Sequence, residues 1–441
     1  MQLEQLYTHY LASRGVTTDT RNIQPGSIFF ALKGERFNAN TFAAEALEKG
    51  AAYVVVDEIA DEKWKEQYGV RLILVPDVLA TLQQLAGHHR QQFTFPVLAI
   101  TGSNGKTTTK ELVAAVLSKK YRTAFTKGNL NNHIGVPLTL LSIDAAQTDF
   151  AVIEMGANHQ REIASYCAYT RPDFGLITNV GLAHVEGFGG FEGVVKGKTE
   201  LYADVYARGG KVFISADNEL LLSKWKALDT TAEHLITYGQ SSEYCRGQLL
   251  SGHTFLTLET EGVRVPTQLV GDYNFDNVMS AVCIGKYFGV AMADIKQAIE
   301  AYAPDNNRSQ QMQWGTNTII MDAYNANPSS MHEALNNFEK RLANNPHAQA
   351  VVVLGEMMEL GEYAAEEHRK IADRLCEPGW QAVNRVLVGG GFEAAAARHP
   401  QQLQWFATTD EAKRWFVDSH LHNALILIKG SRKNELEKLL Q

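Results

Sequence analysis

Cysteine is scarce and scattered. Four occur in 441 residues, at positions 167, 245, 283 and 376. Their separation rules out the paired spacing of a structural metal site and any dense disulfide framework, so they read as small core residues in a reducing compartment. No apolar run approaches the roughly 18 residues that suggest a membrane span. The opening MQLEQLYTHYLASRG lacks the basic start and apolar stretch of a secretory signal. Positive charge is not in excess: the formal net charge is −8, which argues against a general nucleic-acid-binding surface. Repeats, low-complexity tracts and long charge runs are also missing. The expectation is a soluble cytoplasmic protein with no membrane span and no nucleic-acid partner. At 45% apolar and 20% charged residues, the chain is globular and long enough for about three domains.

What is present centres on VLAITGSNGKTTTKELVAAVL, residues 97–117. Val97 to Ile100 reads as a buried strand. TGSNGKTT turns the chain, and a helix follows with Leu112, Val113, Val116 and Leu117 on one face. Strand, Gly-rich turn and helix with Lys-Thr at its start are the parts of a phosphate-binding loop. Gly102 and Gly105 let the backbone approach an anion, and the unpartnered N–H groups of the first helical turn point at it. Ser103, Asn104 and Thr108 complete the loop. Lys106 places a charge near the β/γ-phosphates, and the Thr107 hydroxyl suits Mg²⁺. The commonest loop of this kind has its first Gly five residues before the second; Ile100 stands there, and Gly102 lies only three before Gly105.

The remaining pattern predicts an α/β fold in three domains. Residues 1–92 form a small N-terminal α/β domain, with strands at 27–32, 52–56 and 71–75 and helices at 41–50 and 78–92. Residues 93–305 form a central phosphate-loop domain with a mostly parallel sheet, its further strands at 150–155, 174–180 and 211–215. Helices are expected there at about 134–142, 160–168 and 191–207. Residues 306–441 form a C-terminal Rossmann-like doubly wound sheet. Its strands lie at 318–323, 350–355, 385–390 and 424–430, and its helices at about 328–342, 363–376, 409–419 and 432–440. Short linkers fall near Phe93–Pro96 and Ala303–Asn307. In such sheets ligands gather at the carboxyl ends of strands, which draws attention to Glu154, Asp322, Asn325, Glu356 and Lys429. Taken singly, these groups are ambiguous. Glu154 is a Mg²⁺ ligand or a lone loop carboxylate. His184 is a ligand or a structural histidine, and Lys198 is most simply a solvated lysine. Asp19, Thr20 and Arg21 form a polar turn.

Taken together, the blocks resemble the Mur ligase family of ATP-dependent amide-bond-forming enzymes of peptidoglycan synthesis. TGSNGKTTT resembles the family's phosphate loop, including its short Gly spacing. GNLNNHIGVP (128–137), EMGANH (154–159), TNVGLAHVEGFG (178–189), GDYNFDN (271–277), MDAYNANP (321–328), LGEMMELG (354–361) and IKGSR (428–432) follow in the family's order. DTRNIQPGSIFFALKGERFNANTF (19–42) resembles its uridine-nucleotide region. DAYNANP points to the branch that adds D-alanyl-D-alanine to UDP-N-acetylmuramoyl-tripeptide through an acyl phosphate. The chain departs from the family at Asn38–Ala39–Asn40, where Asp-Gly-His is usual, at Gln160–Arg161, and at Tyr273, where His is usual.

The resemblance implies a role for each matching residue. Glu154 and His184 become Mg²⁺ ligands with Thr107, and Lys198 a carbamylated lysine supplying a further oxygen ligand. With Lys106, Glu154, His184 and Lys198 form the catalytic set. Asn274 and Asn277 belong to the adenine side of ATP, Arg308 to its phosphates and Asp322 to its ribose. Thr20, Arg21, Asn131 and Asn132 belong to the UDP-substrate, and Asn325 and Asn327 to the dipeptide, with Lys429, Ser431 and Arg432 as further candidates. A monomer is implied. Two other readings compete: another Mur-type or folylpolyglutamate-type ligase, and a non-catalytic ATP-gated binding protein. The block before the phosphate loop disfavours the folylpolyglutamate type, and Glu154, His184 and Lys198 together disfavour the binding protein.

Overall fold

Alternating apolar strands and amphipathic helices build three large sheets, beside a two-stranded pair Lys33–Gly34 and Phe37–Asn38, in a computed structural model that describes residues 2–34, 37–304, 307–344 and 349–441. The first has four parallel strands in the order Val16–Thr17, Ile28–Phe30, Tyr53–Val56, Leu72–Leu74. Its strand periodicity is visible in the packing. Phe29, Val54 and Val56 pack on Ala43, Ala46 and Leu47 of the helix Ala43–Glu48. Ile28, Phe30 and Val55 turn to the other face, toward Leu82 and Leu85 of the helix Val78–Arg90. Asp77 caps that helix by accepting from the Ala80 N–H at 2.8 Å.

The central sheet has nine strands. Seven run parallel, in the order Thr123–Phe125, Phe150–Glu154, Val97–Thr101, Phe174–Ile177, Lys211–Ser215, Leu235–Gly239, Cys245–Leu250. Thr257–Thr260 and Val263–Pro266 then extend it antiparallel, an extension absent from the sequence reading. Its cause is local: Glu261 and Gly262 both have positive φ, 51° and 71°, as a two-residue hairpin requires. The expected strand 174–180 ends at Ile177, because Thr178 to Gly181 leave the sheet to hold the phosphate loop.

The third sheet orders Gln310–Trp314, Asn317–Asp322, Ala424–Lys429, Gln349–Gly355, Asn384–Val388, Gln404–Phe406, parallel except for its first strand. These parallel sheets bear out the α/β expectation. The helix expected at 432–440 is corrected to two short 3₁₀ segments, Arg432–Asn434 and Leu436–Leu440. Ser431 and Asn434 form a capping box, and Glu435 at φ 49° breaks the turn. Residues 305–306, which hold the expected boundary and part of the expected linker, lie outside the described residues.

The first two sheets are joined through Arg90, a buried guanidinium at the end of its helix. Its Nε donates to Thr170 O at 2.8 Å, and its Nη2 donates to Arg171 O at 2.8 Å and Asp173 Oδ2 at 3.0 Å. Asp173 Oδ2 also accepts the Val97 N–H, at 2.9 Å. Arg90→Ala strands these acceptors, each worth about 1 kcal/mol. A calorimetric scan should show the first thermal transition lowered by several degrees with ATP affinity unchanged; an unshifted transition would remove this clip from the account.

Candidate active site

The carboxyl ends of the strands Val97–Thr101, Phe150–Glu154 and Phe174–Ile177 lie side by side, and the cleft forms above them. Its volume is about 720 Å³, and its lining comes from the second and third sheets. At its floor the phosphate loop makes two turns that need glycine. Gly102 has φ +145°, and a Cβ there would meet Thr178 Oγ1 at 1.9 Å. Gly105, at φ +78°, starts the helix Lys106–Leu117, and a Cβ there would meet Asn277 Oδ1 at 2.5 Å. Neighbouring residues clamp the loop. Thr178 Oγ1 donates to Asn104 O at 2.6 Å, the Asn104 N–H donates to Asn179 Oδ1 at 2.9 Å, and the Gly181 N–H donates to Ser103 Oγ at 2.9 Å. A preformed loop of this kind pays little ordering entropy when an anion arrives. The backbone N–H groups opening the helix remain aimed into the cleft.

Lys106 folds back on the loop, its Nζ donating to Gly102 O at 2.8 Å and Ser103 O at 3.1 Å. The residue keeps partial exposure, but its ammonium sits deep in the cleft. Burial pulls its pKa down to about 8, against the pull of Glu154 and with a push from Arg308. Thr107 Oγ1 donates to Glu154 Oε1 at 3.1 Å, and Asn131 Nδ2 donates to the same oxygen at 2.7 Å. The second oxygen of Glu154, Oε2, is buried with no hydrogen-bond partner. Asn132 Oδ1 accepts from the Ile134 and Gly135 N–H groups and caps the helix Gly135–Leu141. Asn131, Asn132 and Thr108 all line the cleft.

Lys198, on the helix Phe191–Ala207, is buried and donates to Ala157 O at 3.1 Å. Burial, and then the charge of Lys106, hold its pKa well below the ordinary lysine value. His184 Nδ1 lies against Glu359 Oε2 of the third sheet's loops, and this contact lowers the Glu359 pKa. Among the described residues no group of three His, Cys, Asp or Glu is close enough to hold a metal ion. A cation here would draw on the Thr107 hydroxyl, Glu154 and oxygens that the ligand brings.

The nucleotide candidates are interlocked. Thr109 Oγ1 donates to Asn277 Oδ1 at 3.0 Å, and Asn277 Nδ2 donates to Asn274 Oδ1 at 2.9 Å. Tyr273 and Ser309 share a hydroxyl hydrogen bond of 2.7 Å. The Arg308 guanidinium lies over the Tyr324 ring, 3.8 Å from its centroid, and its Nε is buried without a hydrogen-bond partner among the described residues. Asp322 is paired with buried Lys429 at 2.6 Å. Asn325 lines the cleft, and its carbonyl accepts from Lys429 Nζ at 3.3 Å.

Asn327 does not line the cleft; its Nδ2 donates to Asn104 Oδ1 at 2.7 Å, and its Oδ1 caps the following helix by accepting from the Ser330 N–H. Thr20 and Arg21 also lie outside the cleft lining. Arg21 is exposed and held by Asp19 at 2.7 Å. Sequence reasoning passed over Thr178, Asn179, Tyr324 and Glu359 as individual residues. All four sat inside quoted blocks, TNVGLAHVEGFG for the loop clamp, MDAYNANP for Tyr324 and LGEMMELG for the histidine's partner, which was the available signal.

Residues 100–285 match the pattern described as the Mur ligase middle domain. Residues 307–432 match the Mur ligase, glutamate ligase domain, and residues 13–90 the Mur ligase family, catalytic domain. A UDP-N-acetylmuramoyl-tripeptide–D-alanyl-D-alanine ligase of Escherichia coli (strain K12) is 34% identical over 435 residues, covering 97% of this chain and 92% of its own. The ligase of the same name from Bacillus subtilis (strain 168) is 33% identical over 450 residues, covering 100% and 94%. Among solved structures, a crystal structure of MurF from Acinetobacter baumannii superposes with a TM-score of 0.84 at 30% identity, covering 99% of this chain and 97% of the other. MurF ligase from Thermotoga maritima in complex with ADP shares the fold, with a TM-score of 0.81 at 23% identity over 98% and 97% of the two chains.

Two outcomes follow from the loop. Gly102→Ala forces a Cβ into the Thr178 hydroxyl and costs about 1–3 kcal/mol of strain; ATP affinity measured by calorimetry should fall tenfold or more. For Lys106, the free protein loses the proton near pH 8, and a bound polyphosphate raises that value. Binding therefore takes up a proton above this pH, and ATP affinity weakens as pH rises past it. Calorimetry in two buffers of different ionisation enthalpy reads the uptake directly; a pH-independent affinity would contradict the assignment.

Proposed function

The chain belongs to the Mur ligase family, and on that premise we propose that it joins D-alanyl-D-alanine to UDP-N-acetylmuramoyl-tripeptide, with ATP cleaved to ADP and phosphate, in peptidoglycan precursor synthesis. The observation that carries this reading is the clamped phosphate loop beside a buried carboxylate oxygen that has no hydrogen-bond partner among the described residues, in a cleft shared by the second and third sheets. The full-length similarity to ligases of that name supports the choice of substrates. Residues 1–92 would carry the UDP-substrate, 93–305 ATP, and 306–441 the dipeptide. The protein would act as a cytoplasmic monomer; no helix among the described residues is long and apolar enough to cross a membrane.

The reaction runs in two steps. The terminal carboxylate of the tripeptide attacks the γ-phosphorus of ATP, its bond to the β-γ bridging oxygen breaks, and an acyl phosphate and ADP result. The neutral amine of the dipeptide then attacks the acyl carbon; phosphate leaves, and the amine's extra proton is lost. The first step brings two anions together, at a cost of about 4 kcal/mol for unit charges 4 Å apart at an effective dielectric of 20. Lys106 and Arg308 supply the opposing charge, Arg308 with its unpartnered Nε already desolvated. Asn274 and Asn277 form a rigid wall for the adenine, and Asp322, fixed by Lys429, receives the ribose.

Thr107 and Glu154 would hold Mg²⁺ with oxygens of the ligand, His184 and the carbamate of Lys198 joining them only in the loaded and modified site, and Glu154 Oε2, without a hydrogen-bond partner among the described residues, fits that need. Mg²⁺ takes few protein carboxylates and accepts substrate phosphates as ligands; when bound it neutralises charge on the transferring phosphoryl group. Carbamylation suits Lys198 because its neutral amine can attack CO₂, releasing a proton and leaving an anionic oxygen donor. Thr20 and Arg21 meet the uridine diphosphate, with Arg21 offering an exposed cation; Asn131 and Asn132 continue that path into the cleft. Asn325 faces the dipeptide, and Asn327 ties the third sheet to the loop at Asn104. Closure of the third domain along this tie would exclude water from the acyl phosphate.

Phosphate release in the presence of ATP and Mg²⁺ should require both the UDP-linked tripeptide and D-alanyl-D-alanine. Release indifferent to the dipeptide would sink the reading. Lys106→Ala should abolish turnover with the fold intact by circular dichroism. Lys198→Ala should cut kcat by about 10²-fold or more and recover in part with small added carboxylates. The intact wild-type protein in bicarbonate should gain the mass of one carbon dioxide, and Lys198→Ala should not.

A further inference from the structure

Lys110 is absent from the chemistry above, yet it is one of the largest fully buried side chains in the protein. It lies one helical turn after Thr107, so both side chains face the end of the strand Phe150–Glu154. Among the described residues its Nζ has no hydrogen-bond partner, and neither does Glu154 Oε2. These two orphaned atoms are 3.8 Å apart. Each supplies the countercharge that the other lacks, and burial makes such a countercharge necessary. Glu111 Oε1 lies 3.5 Å from the same ammonium, while its Oε2 accepts from Tyr302 Oη at 2.7 Å. Lys127 stands over the Phe125 ring at 3.5 Å, and Lys110 approaches that ring at 5.8 Å. Two carboxylates and two ammonium groups therefore lie together in this corner, with the Lys106 ammonium also within electrostatic reach of Glu154.

We propose that Lys110 is the resident counter-ion of Glu154, a positioning residue that keeps the cation site closed to a free divalent ion until a nucleotide brings its own negative charge. A divalent cation approaching Glu154 meets the ammonium behind it, and Coulomb repulsion at this separation weakens binding in a desolvated site. Triphosphate oxygens reverse that balance, so metal and nucleotide enter together. The same pairing keeps the Glu154 carboxylate oriented, with Oε1 toward Thr107 and Asn131. This inference rests on the reading of Glu154 as a metal ligand.

The test uses Mn²⁺ alone as the probe, with binding to the nucleotide-free full-length protein followed by electron paramagnetic resonance. Wild type should bind Mn²⁺ weakly, and more tightly once a non-hydrolysable ATP analogue is added. Lys110→Met should tighten Mn²⁺ binding without nucleotide by about tenfold or more. Lys110→Gln, which keeps a polar group in the same space, should do the same, because charge rather than shape is at stake. An affinity unchanged or weakened in both variants overturns the inference. Glu154→Gln separates the two readings. If it leaves Mn²⁺ binding intact, the assignment of Glu154 to the metal fails. If it abolishes binding while the Lys110 variants do not tighten it, only the counter-ion role fails. Should Lys110→Met unfold, melting temperatures of Lys110→Gln, Glu154→Gln and the double variant still decide the pairing: the double should lose less than the sum of the singles, and additive losses contradict it.

Discussion

A bend of the backbone between Thr101 and Lys106 sets the position of every group in the cleft. Gly102 and Gly105 adopt conformations that a side chain would obstruct, and Thr178, Asn179 and Gly181 hold the resulting shape from the neighbouring strand end. The order of the parallel strands makes this possible, since Val97–Thr101 pairs with both Phe150–Glu154 and Phe174–Ile177. The anion cradle, the carboxylate and the clamp thus come from adjacent strands, at the edge where such sheets bind ligands. The third sheet reaches the same bend through Asn327 and Asn104, so the loop also joins the second and third sheets.

Charge in the cleft is arranged in depth. Lys106, Arg308 and the helix N–H groups line the cleft above the phosphate loop. Glu154 and Lys110 lie behind them, out of contact with water. Lys198 lies to one side, its pKa lowered by burial. Isolated buried charges of these kinds would be costly; here each has an opposite charge or a carbonyl to meet it. The arrangement suits a reaction in which negative charge first accumulates and then departs as phosphate.

Much of this was legible in the chain because it is encoded locally. The strand Val97–Thr101 and the helix Lys106–Leu117 follow from residue spacing and two glycines, and Glu154 followed from the rule that strand ends carry function. The Glu261–Gly262 hairpin carried a local signal too, and reading it would have revealed the antiparallel extension. Lys110 was illegible for a different reason. Thr-Thr-Lys-Glu on a helix reads as a polar surface, and only the fold shows that a distant strand covers it. The tie of Asn327 to Asn104 and the contact of His184 with Glu359 likewise cross between sheets, where no periodicity reaches. The helix expected at 432–440 failed because apolar spacing at Leu436 and Leu439 is shared by 3₁₀ turns, and the left-handed Glu435 decided between them.

The central claim is that a carboxylate of the substrate becomes reactive by taking a phosphoryl group from ATP. Isotopic labelling follows that oxygen directly. With heavy oxygen in the terminal carboxylate of the UDP-linked tripeptide, one turnover with ATP and D-alanyl-D-alanine should deliver one labelled oxygen to the inorganic phosphate, read by the phosphorus resonance shift. Phosphate free of label, with amide product formed, would contradict the account.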